Sequence, residues 1–123
     1  LDAGERNLMK EAGVRVYTMS DIDRRGISRT ISEITEFFRE RVDTVHVSFD
    51  IDAIDPRFAP GVGIEVPGGL TYREVLFLME EMAATGMVSS ADMVEVNPIH
   101  DLKNSTARMA VNLIGRLLGE TIF

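Results

Sequence analysis

Stretches in which apolar residues recur every three or four positions are interleaved along this chain with shorter stretches in which apolar and polar residues alternate. The first spacing puts apolar side chains on one side of a helix, and the second puts them on one face of a strand. Residues 4–12 read as a helix with Leu8 and Met9 inward and Gly13 as its stop. Val14–Met19 reads as a short strand, on the alternation of Val14, Val16 and Thr18. The polar run Ser20–Arg25 reads as one helical turn closed by Gly26. A longer helix is expected over Ser28–Arg41, with Ile31, Ile34, Phe37 and Phe38 on its apolar side. Val45, Val47 and Phe49 alternate with His46, Ser48 and Asp50, and their β-branched and aromatic content suits a buried strand. His46 is accordingly read as a core residue.

Residues 56–70 contain Pro56, Pro60, Gly61, Gly63, Pro67, Gly68 and Gly69 and predict a long loop. Loops of that length in compact domains are mostly functional or disordered. This one directly follows an acidic cluster, so it is read as the wall of an active site. Thr71 and Glu74 match a capping box opening a helix that buries Val75, Leu78, Met79 and Met82 and ends near Gly86. Those methionines are read as core packing. Met87–Val96 is the next strand, with Glu95 a carboxylate between valines near its end. Asn104 or Ser105 caps a last helix, with Ala107, Val111, Ile114, Leu117 and Leu118 inward and Arg108, Asn112 and Arg116 outward. His100 falls in the loop before it. Helix and strand alternate throughout, which argues an α/β fold: a parallel sheet with helices packed on its faces.

Composition narrows the function. The 123 residues make about one domain, and 45% apolar with 27% charged residues is an ordinary globular balance. A net charge of −7 argues against nucleic-acid and membrane-surface partners and favours a cationic ligand. Cysteine is absent, which excludes disulfides and thiolate metal sites. Neither a signal peptide nor a bilayer-spanning apolar run is found, and nothing points to secretion; a cytoplasmic location is the expectation. The chain opens Leu1-Asp2-Ala3-Gly4-Glu5, which reads as the end of a strand whose beginning is missing. A fragment of a longer protein is therefore expected.

The candidate chemistry centres on residues 45–56. An apolar run leads into Asp50, Asp52 and Asp55, and Pro56 stops regular structure. Side chains two apart on a strand share a face, so Asp50 and Asp52 converge if the strand stays extended that far. Ligands of open α/β sheets collect beyond the carboxyl ends of strands. Two carboxylates there repel unless a cation lies between them or one takes a proton. An EF-hand loop counted from Asp50 needs Gly at its sixth place and Glu at its twelfth; Asp55 and Gly61 stand there. A dehalogenase-type phosphatase would use Asp50 as nucleophile and Asp52 as acid–base, but Ile54 stands where Thr or Val is expected. A two-metal hydrolase is the third possibility.

Ser48-Phe49-Asp50-Ile51-Asp52-Ala53-Ile54-Asp55-Pro56 resembles the ureohydrolase signature. The resemblance continues through Ala59-Pro60-Gly61-Val62-Gly63, Pro67-Gly68-Gly69-Leu70-Thr71-Tyr72-Arg73-Glu74, Val94-Glu95-Val96-Asn97-Pro98, Asp101, Asn104 and Thr106-Ala107. The opening five residues and Met19–Gly26 are similar to arginases, more than to agmatinases. The resemblance covers nearly the whole chain in register. It implies a three-layer α-β-α fold, present here only in part, and hydrolysis of the L-arginine guanidinium to ornithine and urea by two Mn²⁺ ions. It implies that Asp50 bridges both ions and Asp52 binds one. Glu95 would face the guanidinium, and Asp2, with Glu5 nearby, would meet the α-amino group. Hard oxygen ligands suit Mn²⁺.

The family's other ligands, two histidines and further aspartates, and its proton-shuttle histidine belong to N-terminal motifs this chain lacks. No catalytic acid–base residue is therefore expected here, and the chain alone should be inactive. Neither His46 nor His100 matches a family ligand. Ile64 stands where arginases commonly carry Thr, and Asp55 is expected to cap or orient the loop. The implied partners are L-arginine, the N-terminal part of the fold and further copies in a homo-oligomer. An agmatinase or other guanidino ureohydrolase is the nearest alternative. A non-catalytic fragment serving in assembly is the alternative of another class.

Overall fold

The computed structural model describes residues 2–120. The strand end expected over residues 1–5 is not seen where the chain is described: Asp2 is an N-cap and a helix starts at Ala3, while Leu1 lies outside the described residues. Helix α1 spans Ala3–Glu11 and α2 spans Met19–Arg25. Each begins where a short polar side chain can take an otherwise unpaired amide: Asp2 caps α1 and Thr18 caps α2, both through reciprocal capping boxes. Gly26, in the left-handed region, turns the chain into α3, Ile27–Arg39.

Val14–Thr18 forms no strand, contrary to its alternation. A strand needs a ladder partner, and the sheet of the described residues holds only two strands, neither paired with this segment. Arg15 instead lays its guanidinium 4.1 Å from the Phe37 ring centroid, with Arg41 at 4.2 Å from the same ring. Cation–π attraction thus ties the segment to α3.

Strands β1, Val45–Asp50, and β2, Val88–Val94, pair in parallel. Between them runs α4, Tyr72–Ala84, opened by the expected capping box of Thr71 and Glu74. The final helix, α5, spans Ser105–Leu117. Parallel pairing through a helical crossover is the predicted α/β arrangement. The ladder keeps Val47 beside Ala91 and Phe49 beside Met93 on one face, and His46 beside Ser90 and Ser48 beside Asp92 on the other. A register shift after Val45 leaves one residue of β2 unmatched.

The core lies on the first face. Val45, Phe49, Ile51 and Ile54 meet Val75, Met79 and Met82 of α4 and Ala110, Leu113 and Leu117 of α5. α3 packs on α4 and α4 on α5. The second face is uncovered among the described residues, so one helical layer of a three-layer arrangement is present. That uncovered face corrects the core assignment of His46. Its ring is half exposed, with Nδ1 2.8 Å from Ser90 Oγ and Nε2 3.1 Å from Asp92 Oδ2.

α5 is turned about one residue from the predicted orientation. Its buried residues are Thr106, Ala110, Leu113, Arg116 and Leu117, while Val111, Ile114 and Leu118 are exposed. The helix carries two apolar stripes, and the sequence alone could not say which one the sheet takes. Arg116 follows its stem into the packed side, donating from Nη1 to the Glu120 carbonyl at 2.9 Å.

Candidate metal and substrate site

The site begins where β1 ends. The strand does not continue to Asp52: Ile51–Ala53 is a 3₁₀ turn. Asp50 causes the change, because its Oδ1 accepts from the Asp52 amide at 2.9 Å and so caps the turn. The two carboxylates are neighbours through that cap and not through strand alternation. Asp50 is exposed, whereas Asp52 Oδ1 is buried without a hydrogen-bond partner. Burial raises the Asp52 carboxyl above the ordinary aspartate range, and the nearby charge of Asp50 adds to this; the Ile64 amide opposes both. A buried carboxylate oxygen without a donor costs free energy that a cation would offset.

Asp55 behaves differently. It is 1% exposed and accepts from Gly68 N at 2.9 Å, from Arg57 N at 2.9 Å and from Arg57 Nε at 2.8 Å. Those bonds, with the Arg57 side chain foremost, hold it far below the usual carboxylate range. Its oxygens are committed to the loop, which is the orienting place expected of it. The loop closes on itself just beyond, where Leu70 N donates to Ala53 O at 2.8 Å and Asp55 N to Leu70 O at 2.9 Å. A cavity of about 340 Å³ opens beside Asp52, lined also by Tyr17, Met19, Ile22 and residues 66–70.

Glu95 stands at the same end of the sheet, one residue past β2. Its φ of 64° places it in the left-handed region, which a non-glycine residue enters at a cost. Its Oε2 lies 3.8 Å from where a Cβ on Gly63 would be, so Glu95 faces the loop that follows Asp50 and Asp52. Asp2 and Glu5 bond to each other: Asp2 Oδ1 accepts from Glu5 N at 2.9 Å and Glu5 Oε2 from Asp2 N at 3.0 Å. Both serve as the capping box of α1, and no hydrogen bond among the described residues joins them to Asp50, Asp52 or Glu95. Ile64 is exposed on the loop. His100 holds the loop too, with Nδ1 3.0 Å from the Val62 carbonyl.

Two features escaped the sequence reading. Asp92 accepts from Ser48 Oγ at 2.7 Å and meets His46, and these bonds hold its carboxyl low, Ser48 foremost. The polar members of β1 and β2 at alternate places were the available signal. Asp101, ahead of α5, accepts from Thr106 N, Ala107 N and Ser105 Oγ. Its signal was an acidic residue just upstream of a helix start.

No group of three or more His, Asp or Glu side chains able to hold a metal forms among the described residues. Asp50 and Asp52 fit the role of a partial ligand set: hard oxygens, adjacent, one of them buried and unpaired.

A family model described as the arginase family matches residues 1–119. An arginase of Bacillus caldovelox is 48% identical over 122 residues, covering 99% of this chain and 41% of its own length. An arginase of Staphylococcus aureus strain COL is 47% identical over 123 residues, with the same shares. The native structure of the Bacillus caldovelox arginase superposes with a TM-score of 0.96 over 100% of this chain and 41% of that one. The chain thus spans well under half the length of these relatives. The match over residues 1–119 takes in the parallel β1–β2 pair, the acidic turn and the glycine-rich loop, and the chain belongs to the arginase family.

Proposed function

We propose that this chain supplies part of the site of a manganese-dependent hydrolase that converts L-arginine to ornithine and urea. The observation that carries the reading is Asp52: a buried carboxylate oxygen with no donor, beside Asp50, at the carboxyl end of β1. Such an arrangement calls for a cation. Asp50 and Asp52 would hold the Mn²⁺ ions together with ligands from outside this chain. When bound, the metal pair supplies the Lewis acidity that activates water near neutral pH.

The chain's own residues bind and orient. Glu95 meets the planar guanidinium, whose paired N–H groups suit a carboxylate. Its left-handed backbone turns the side chain out of the ladder beside Gly63. Asp2 meets the α-amino group, which distinguishes arginine from agmatine, and Glu5 fixes the Asp2 backbone through the capping box. A homo-oligomer in the cytoplasm belongs to the same reading on the resemblance alone.

The test is Asp50→Asn in the full-length protein. Replacing the carboxylate by an amide keeps the size and removes the charge that holds the metal. Manganese-dependent urea release should fall at least about 100-fold. Near-normal release would refute the assignment.

A further inference from the structure

The last helix is capped in an unusual way. Asn104, at the N-cap position, has φ 59° and makes no side-chain cap, and Lys103 before it has φ 53°. Two successive left-handed non-glycine residues are costly. They bring Asp101 back over the helix start, where it takes the amides of Thr106 and Ala107 at 2.9 and 3.0 Å.

Asp101 does more than cap. A Cβ on Gly61 would lie 2.6 Å from Asp101 Cβ and 2.9 Å from Thr106 Cβ, so the loop backbone is seated directly on this corner. Gly61 N donates to Thr106 Oγ1 at 2.8 Å in a buried bond, and Gly61 O accepts from Asn97 N at 2.7 Å. Gly61 is therefore fastened on one side to α5 and on the other to the segment that carries Glu95. Two residues on, Gly63 faces Glu95, and Ile64 presents its amide toward Asp52.

We propose that Asp101 is a positioning residue: by seating Gly61 on the start of α5 it sets the loop that faces both Glu95 and Asp52. The inference rests on the proposed arginine hydrolysis for its kinetic readout, and on the loop alone for its structural one.

The experiment measures hydrogen exchange of peptides covering residues 57–66, together with kcat and KM for L-arginine, in the full-length protein. Asp101→Asn turns one acceptor into a donor that faces helix amides. Thr106→Val removes the hydroxyl that holds Gly61. Either change should speed exchange of the loop and lower kcat/KM by about 10- to 100-fold, the scale of a misplacement near 1 Å. Thr106→Ser restores the hydroxyl and should restore both readouts. The double variant should lose no more than the worse single one, because both act through one seat. Asn112→Gly, on the exposed side of α5, lowers helix stability and should leave loop exchange unchanged. Unchanged loop exchange in Asp101→Asn overturns the proposal. So does a loosened loop with full kcat/KM in an enzyme whose wild type is active. A wild type that releases no urea defeats the arginine reading instead, and the exchange result alone then decides for or against the seat.

Discussion

Asp2 has one observed duty and one proposed duty, and the two can be separated by substitution. Its carboxylate caps α1, and the proposed function has it meet a substrate amine as well. Asp2→Ala would remove cap and charge together, with about 1 kcal/mol lost from the helix start alone. Asp2→Ser keeps an N-cap oxygen and removes the charge. If the charge reads the α-amino group, Asp2→Ser should cut the preference for arginine over agmatine by about tenfold or more. The measurement is the ratio of kcat/KM for the two substrates, and an unchanged ratio would remove Asp2 from the site. The acidic signature was legible residue by residue, since Asp50, Asp52 and Asp55 stand in one run. Their division of labour was not. Nothing in the run shows that Asp55 is committed to Arg57 and Gly68 while Asp52 keeps a bare oxygen. That division depends on loop backbone returning thirteen residues later.

At the scale of elements, α4 was the most legible part. Thr71 with Glu74 marked α4 because a capping box is local chemistry. The strands were harder. Val14–Thr18 has the alternation of a strand and no partner to pair with among the described residues, whereas β2, largely exposed among those residues, pairs from Val88 to Val94 with Ser89 alone unmatched. Periodicity reports which face can be buried, not which neighbour arrives. The loop after β1 is an element in its own right, closed at its base by Leu70 against Ala53 and Asp55. Gly69 makes that closure possible: a Cβ there would lie 2.7 Å from Ala53 O and 2.8 Å from Asp55 N, both backbone atoms with little room to move. Gly69→Ala should therefore cost about 1–3 kcal/mol, the range for forcing a methyl into packed structure. Urea unfolding checks it, and a midpoint equal to wild type would mean the loop base is looser than its bonds imply.

Across the whole molecule, the chain is well built on one side and open on the other. The core face of the sheet is covered by α4 and α5, while the face carrying His46, Ser48 and Asp92 is open among the described residues. Parallel sheets are ordinarily covered on both faces. Val111 and Leu118, 68% and 80% exposed, form a second apolar stripe on α5. Both features accord with a span of 41% of the relatives' length. The proposed metal site is divided in the same way. Manganese prefers about six hard ligands, and this chain offers two adjacent carboxylates, with the Asp52 proton held more tightly than usual by burial and by Asp50. The chain alone should accordingly bind Mn²⁺ at least about 100-fold more weakly than the full-length protein, a loss no smaller than that from removing supporting ligands. Calorimetric titration of each at neutral pH measures the difference. Equal affinities would mean that Asp50 and Asp52 form a complete site by themselves, and the division of the centre between this chain and the rest of the fold would have to be abandoned.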